Sequence, residues 1–129
     1  MTGIEEANVQ TVVAYVEAYN RKDIEGMMSC VAEDVNFEHL INGHVTVKLS
    51  GKPAFRQQAE QAAQLVSQRE QILNDRTVAD DVVSVKIDYK GTLAVDMPDG
   101  AQAGETIQLQ GHSVFVLQDC LITKLIDIQ

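Results

Sequence analysis

The sequence predicts an α+β domain in which helices pack on one face of a curved sheet. Early in the chain, apolar residues recur at the spacing of a helix that is buried on one side. In the second half they alternate with polar residues, which is the pattern of half-buried strands. The length of 129 residues, with no charge run or low-complexity stretch to divide it, indicates one domain over residues 1–129.

Helix signals mark three segments, and each has a recognisable start. Thr2 and Glu5 have the Ser/Thr-x-x-Glu form of a capping box. Asp23 can cap a short second helix. Pro53 suits the first turn of a third, because the N–H that proline lacks has no helical partner there. We therefore expect helices over Ile4–Asn20, from 24 to about 33, and from 53 to about 66.

Strand signals fill the rest of the chain. The Asn42-Gly43 pair is a strong hairpin turn between two alternating runs. Beyond Asp81 the alternation is cleanest and keeps Val95 on the inward side. We expect strands over residues 35–39, 45–49, 69–78, 83–95, 106–117 and 121–128.

The composition restricts the classes of partner. Acidic residues outnumber basic ones, 19 against 10, which gives a net charge of −9. Because a phosphate backbone is bound through Lys and Arg, a nucleic-acid partner is disfavoured, as is an anionic membrane. The N-terminus lacks the pattern of a secretory signal and no apolar run is long enough to span a bilayer, so we expect a cytoplasmic protein.

No metal or cofactor motif is apparent. Cys30 and Cys120 are far apart and have no CxxC partner, so we expect buried free thiols rather than a zinc or redox site. His39, His44 and His112 lack the close spacing of metal ligands. There is no glycine-rich phosphate loop before a helix and no nucleophile elbow. We expect no cofactor.

Three stretches of sequence resemble a known superfamily. They are residues 13–23 (VAYVEAYNRKD), 30–39 (CVAEDVNFEH) and 50–56 (SGKPAFR). Together they resemble the nuclear transport factor 2-like superfamily, in its SnoaL-like and ketosteroid-isomerase-like branch. The resemblance implies a cystatin-like cone: a strongly curved, mostly antiparallel sheet wrapped around three helices, with a pocket at the wide end. Members include isomerases, polyketide cyclases, dehydratases, epoxide hydrolases and non-catalytic binding proteins, so the fold alone leaves the chemistry open.

The resemblance also implies candidate site residues. The isomerases place a tyrosine in the first helix, an aspartate base on the first strand, and a second aspartate before a histidine on a late strand. Tyr15 matches the tyrosine, His39 stands at the base, and Gly111 stands at the second aspartate, before His112. Loss of one hydrogen-bond donor to a developing oxyanion costs about 2.7–4 kcal/mol in comparable sites, which argues against steroid isomerisation itself.

His39 is also the most informative polar residue from the residue pattern. Alternation places it on the inward side with Phe37, and an imidazole with an ordinary pKa near 6.5 can take or give a proton. The alternative is a histidine in a pocket wall with its hydrogen bonds satisfied, because no orienting carboxylate is identifiable from spacing. Asp127, on the terminal strand, is expected to be exposed, and so is His44; His112 is expected to face away from the pocket.

We hypothesise a domain that binds a compact, mostly apolar organic molecule in the cone. If it is an enzyme, we expect cofactor-free isomerisation, cyclisation or dehydration of a carbonyl compound. His39 would then act as acid and base while Tyr15 binds the substrate oxygen. The alternative is a non-catalytic ligand-binding or dimerisation module, which a cavity too small for an organic ligand would favour. The other residues expected to line the pocket are Tyr19, Met27, Phe37, Phe55, Tyr89, Gly111 and Phe115.

The outward side of the late strands is mixed in character. Val114 and Val116 share that side with Gln108, Gln110 and His112. A mixed sheet face of this kind suits a partner subunit better than bulk water. We therefore expect a homodimer through this face.

Overall fold

Three helices and six strands form the structure, a computed structural model that describes residues 1–129. The helices are α1 (Gly3–Asn20), α2 (Ile24–Met28) and α3 (Lys52–Gln64). The strands are β1 (Val31–Ile41), β2 (His44–Ser50), β3 (Val66–Ala79), β4 (Val82–Leu93), β5 (Thr106–Gln118) and β6 (Leu121–Ile128). None of the helices is both long and apolar enough to cross a membrane.

The strands form one mixed sheet in the order β2-β1-β6-β5-β4-β3. Only the β1–β6 pair is parallel; the other neighbours are antiparallel. The last strand of the chain therefore lies in the middle of the sheet, between β1 and β5. The predicted α+β class, with a mostly antiparallel sheet, is confirmed.

The helices pack on the inner face of the sheet and form its core. The capping box predicted at the start of α1 is present: Thr2 and Glu5 each bond to the other's backbone N–H. Tyr15 of α1 packs edge-on against Phe115 of β5, with ring centroids 5.9 Å apart. It also stacks near Phe55 of α3, at 6.4 Å. Burial of each such side chain contributes about 1.5–3 kcal/mol, so this aromatic cluster is a main source of stability. We call it the closed end of the cone.

Bulges bend the sheet around the helices. The register of β1 against β2 shifts between His39 and Leu40, and β3 shifts against β4 between Asn74 and Thr77. Asp75, inside the second bulge, has a φ of 47°. A bulge kinks its strand and increases its twist, which gives the sheet the curvature of a cone.

Among the boundaries that differ from the prediction, three change the element or the side to which a residue belongs. Helix α2 ends at Met28 instead of near residue 33, because Val31 pairs with Ile122 of β6 and belongs to a strand. Helix α3 ends at Gln64, because Val66 already pairs with β4. Val95 lies beyond the end of β4 and is 39% exposed rather than inward.

The two cysteines differ in burial. Cys30 is a buried free thiol, as expected. The expectation is wrong for Cys120, which is exposed. Cys120 occupies the tight turn between β5 and β6 with a φ of 63°, and such a turn projects from the sheet end into solvent.

Candidate functional site

Three polar side chains lie next to one another on the inner face of three adjacent strands. Asp127 of β6 is in register with Ser113 of β5 on one side and with His39 of β1 on the other. Asp127 comes two residues after the buried Leu125, and strand side chains alternate, so both face the helices. We call Ser113, Asp127 and His39 the polar row.

The Asp127 carboxyl group has an unusual environment. Ser113, which is 3% exposed, donates a hydrogen bond of 2.7 Å from Oγ to Oδ1 of Asp127. Burial raises the pKa of Asp127, and the Ser113 hydrogen bond and the nearby His39 charge oppose that shift only in part. A carboxylate with a raised pKa is a stronger base than an ordinary one.

The expectation that Asp127 is solvent-exposed is wrong. It assumed that the last strand of the chain is also an edge of the sheet. The parallel pairing with β1 instead encloses β6 between two neighbours. Asp127 is therefore the carboxylate beside His39 that sequence spacing could not identify.

The imidazole of His39 has a second partner in Gln129. Its Nε2 lies 2.9 Å from Oε1 of Gln129. The Gln129 backbone is fixed by two bonds to the end of β1 and its turn: its N–H donates to the Leu40 carbonyl, and its carbonyl accepts from the Asn42 N–H. An amide oxygen facing Nε2 favours the tautomer protonated there, which leaves Nδ1 free to accept a proton.

A cavity of about 190 Å³ opens beside the polar row. Pockets for drug-sized ligands are typically about 300–1,000 Å³, so this cavity suits a compact molecule. Only 5 of its 13 lining residues are hydrophobic, which makes it more polar than the sequence suggested. They are Tyr19, His39, Gln71, Ile87, Tyr89, Leu109, Gln110, Gly111, His112, Ser113, Asp127, Ile128 and Gln129.

The structure divides the sequence-predicted site residues into two groups. The members on the cavity wall are His39, Tyr19, Tyr89 and Gly111. The members packed in the core, away from that wall, are Tyr15, Met27, Phe37, Phe55 and Phe115. The division follows the helices, which fill the closed end and leave the cavity at the other, the open end of the cone.

Tyr15 lies in the aromatic core rather than on the cavity wall that His39 lines. It is 5% exposed and held between the Phe55 and Phe115 rings. Burial raises the pKa of Tyr15 well above its usual value, and among nearby charges that of Asp127 has the largest effect. Tyr15 is therefore part of the core and does not line the cavity.

Gly111 is glycine for a reason of packing. A Cβ atom built there would lie 2.8 Å from the carbonyl oxygen of Ile128, closer than real Cβ atoms approach backbone. The position therefore has no room for the aspartate that the ketosteroid isomerases carry. Its glycine brings the end of β6, and with it Gln129, up to the cavity.

Two phenols form the other side of the cavity. The Arg69 guanidinium stacks 3.6 Å from the centre of the Tyr19 ring. Burial raises the pKa values of Tyr19 and Tyr89, and the Arg69 charge opposes the shift at both. Both therefore stay protonated at neutral pH and can donate a hydrogen bond to a ligand oxygen.

The remaining histidines lie away from the polar row. His44 is exposed on β2, as expected. His112 is in contact with Ser84 through Nε2, on the outer side of the sheet, although it also borders the cavity. No three His, Cys, Asp or Glu side chains are grouped so as to hold a metal ion.

Sequence reasoning missed five residues of the site, among them Gln129, whose place beside His39 depends on the pairing of β6 with β1. Ser113 and Asp127 occupy positions that strand alternation places on the inner face of the sheet. That alternation was the one available signal for them. Gln71 and Arg69 fall in a polar strand whose inward side is obscured by the shift in register after Val66.

Comparisons with known proteins agree with this geometry. The model of the SnoaL-like domain family matches residues 12–125. A candidate SnoaL-like polyketide cyclase from Jannaschia sp. CCS1 superposes with a TM-score of 0.82 at 14% identity, covering 98% of this chain and 88% of that one. A candidate polyketide cyclase from Xanthomonas campestris pv. campestris gives 0.77 at 24% identity, covering 98% and 93%.

A third similar structure has a different named activity. It is an LEH-like epoxide hydrolase from M. tuberculosis, with a TM-score of 0.77 at 14% identity, covering 96% of this chain and 83% of that one. At these identities the structural matches show a shared fold. No curated protein matches the sequence. Since the family model covers most of the chain, including His39 and Ser113, the protein belongs to the SnoaL-like domain family.

Proposed function

We propose that this domain is a cofactor-independent proton-transfer enzyme acting on a small organic carbonyl compound. The observation that carries the proposal is the Asp127 carboxyl group, which is partly buried, has a raised pKa and lies next to His39 on the wall of a cavity. Perturbed titratable groups that converge in a cleft are typical of acid–base catalysis. The reaction class is isomerisation, cyclisation or dehydration.

Asp127 is the proposed base. The ionised carboxylate takes a proton from the carbon next to the substrate carbonyl, and the electron pair of that C–H bond moves into an enolate. The raised pKa brings the carboxylic acid closer to the working pH, where a general base is most effective. The Ser113 hydrogen bond fixes the carboxylate orientation during the transfer.

His39 is the proposed second proton carrier. With Nε2 directed at Gln129, its Nδ1 can accept a proton or, once protonated, deliver one. Delivery to another carbon completes an isomerisation, and delivery to a departing hydroxyl completes a dehydration with release of water. The proton taken by Asp127 then passes to the neutral imidazole of His39, its neighbour in register, which restores both groups.

Tyr19 and Tyr89 are the proposed donors to the enolate oxygen. Both line the cavity and both stay protonated at neutral pH. Donors already placed where charge develops lower the barrier, because they need no reorganisation during the reaction. They take the role that the sequence resemblance gave to Tyr15. The two candidate polyketide cyclases of similar fold favour cyclisation, which begins with the same abstraction of a proton next to a carbonyl.

The test is deuterium exchange in heavy water. Small cyclic ketones and enones, such as cyclohexanone and cyclohexenone, are incubated with the protein at about pH 7, and exchange next to the carbonyl is followed by mass spectrometry. We expect the protein to accelerate exchange for at least one compound. Asp127→Asn, which keeps a hydrogen-bond acceptor for Ser113, should lower that rate about 10²- to 10⁴-fold.

The matched control is Asp88→Asn, a change of the same kind on the outer side of β4. It should leave the exchange rate as in the wild type. Full exchange activity in Asp127→Asn, or no acceleration of any compound by the wild type, would overturn the proposal and favour the non-catalytic binding module.

We also propose that the domain forms a homodimer through the outer face of the central strands. Val114 and Val116 of β5 lie beside Ile126 of β6 on that face, and all three remain partly accessible. Light scattering at micromolar concentration should give twice the mass of the chain, and Val114→Glu should give the mass of one chain. A monomeric wild type would contradict this.

A further inference from the structure

Arg69 is a buried cation without an anionic partner. The residue is 5% exposed, and no ion pair of the structure includes it. Removing a charge from water costs several kcal/mol unless a partner of opposite sign compensates. The placement of this guanidinium therefore needs a reason beyond packing.

Neutral groups compensate part of the cost of burying the Arg69 charge. Its Nε donates 2.7 Å to the carbonyl oxygen of Tyr19, in the last turn of α1, where the helix dipole is negative. Its face stacks on the Tyr19 ring and its Nη2 lies 3.8 Å from Sδ of Met27. A helix terminus amounts to only about half a charge, so the guanidinium keeps net positive potential.

Some donors of Arg69 have no partner in the protein. A guanidinium has five N–H groups, and Nη1 bonds to no protein atom. No buried side-chain nitrogen lacks a partner, so Nη1 borders accessible space. Gly91, opposite Arg69 in register, has no side chain, and the Tyr89 hydroxyl lies over it, 2.6 Å from where a Cβ would be. The cation and the two cavity phenols are thus neighbours.

We propose that this end of the cavity selects ligands with an anionic oxygen: a carboxylate, a phenolate or an enolate. Tyr19 and Tyr89 donate hydrogen bonds to that oxygen, and Arg69 behind them supplies the charge that the protein leaves uncompensated. The inference deepens the proposed function, on which it rests for the location of the site, by naming the substrate class. In a protein with a net charge of −9, an anionic ligand needs such a local cation.

Binding by wild-type protein is the first test, and it requires no variant. Benzoate is compared with benzamide, and para-nitrophenolate with para-nitroanisole, by NMR titration. Each pair has nearly the same shape and differs in charge. We expect the anion of at least one pair to bind about tenfold or more tightly than its neutral analogue, the size of one charge-assisted hydrogen bond. The two pairs separate carboxylate from phenolate or enolate recognition.

Arg69→Met is the second test, since methionine fills the space next to Met27 without a charge. It should bring the anion-to-neutral ratio close to one while neutral binding changes little. Arg69→Lys should keep part of the preference. Arg76→Met, on the exposed part of the same strand, is the matched control and should keep all of it.

Equal binding of anion and neutral analogue by the wild type, or binding of no probe, would overturn the inference. So would a preference that persists in folded Arg69→Met, which would leave Arg69 as a cap of α1 only. These outcomes are independent of catalysis. Anion preference without deuterium exchange would contradict the proposed reaction alone, and exchange without anion preference would contradict this inference alone.

Discussion

The two ends of the cone use the same strands for opposite purposes. At the closed end the inner faces of β1, β6 and β5 carry an apolar row: Phe37, Leu125 and Phe115. Two residues away on each strand, towards the open end, the same faces carry the polar row: His39, Asp127 and Ser113. The backbone pairing is continuous from one row to the next, so the change lies in the side chains alone.

The comparison shows which interactions the fold requires and which it tolerates. Apolar side chains at the polar row would avoid the cost of desolvating a carboxyl group and would suit the fold better. Sites that break a stability rule without a local gain are commonly functional. The apolar row therefore accounts for stability, and the polar row for chemistry.

The largest expected effect on stability comes from breaking the apolar row. Phe115→Ala removes a ring that is 1% exposed and packed edge-on against Tyr15. It should lower the free energy of unfolding by about 3–5 kcal/mol, measured by urea denaturation. Ile72→Ala, at an exposed apolar position on β3, should cost less than about 0.5 kcal/mol. A Phe115 variant as stable as the wild type would contradict the assignment of stability to this end.

A smaller effect is expected from Ser113→Ala in the polar row. The Ser113 hydrogen bond holds down the pKa of Asp127, so its loss should raise that pKa further. Stability should fall by about 1.5–3 kcal/mol at neutral pH, the contribution of a hydrogen bond to a charged group. Ser84→Ala, on the outer side of β4, is the control. An unchanged Asp127 pKa in Ser113→Ala would show that the hydrogen bond does not tune the carboxylate.

Asp127→Asn should separate stability from chemistry through its pH dependence. Because burial raises the pKa of Asp127 in the folded state, the native protein binds that proton more tightly than the unfolded chain does. Stability from this group is fully present below the unfolded pKa of about 3.9 and is lost as the pH rises through the raised value. The stability of the Asp127→Asn variant relative to wild type should therefore increase over that window. A constant or decreasing difference in urea denaturation would contradict the raised pKa.

Gln129→Leu should give the smallest effect. It removes the amide oxygen that faces Nε2 of His39. Nitrogen NMR shifts of His39 should show a clear preference for the Nε2-protonated tautomer in the wild type and a weaker preference in the variant. Thermal unfolding should change little, because Gln129 is exposed. The same tautomer ratio in both proteins would remove Gln129 as a positioning residue.

The sequence was sufficient to predict the architecture because the fold depends on local patterns. The capping box at Thr2, the Asn42-Gly43 turn and strand alternation each act within a few residues, and each is found where expected. The end of α2 was missed because Val31 pairs with Ile122, in the last strand of the chain, and that pairing overrides helical spacing.

The site was only partly predictable for a related reason. Alternation put His39 on the inner face, but nothing in its spacing shows that β6 inserts beside β1 and brings Asp127 next to it. Whether an aromatic residue lies in the core or on the cavity wall depends on where the helices end. Residue type alone therefore could not show that Tyr15 and Phe55 lie in the core while Tyr19 lines the cavity. Gly111 was identified through the resemblance. Only the structure shows why the residue is a glycine: the carbonyl oxygen of Ile128 leaves no room for a Cβ atom.

The central claim, that the polar row contains a carboxyl group poised to exchange protons, is tested most directly by carbon NMR titration of the Asp127 side chain in the wild-type protein. We predict a midpoint above the ordinary aspartate value of about 3.9, because burial outweighs the Ser113 hydrogen bond and the His39 charge. A midpoint at or below that value would mean that Asp127 is an ordinary ionised side chain, and the proposed base would lose its basis.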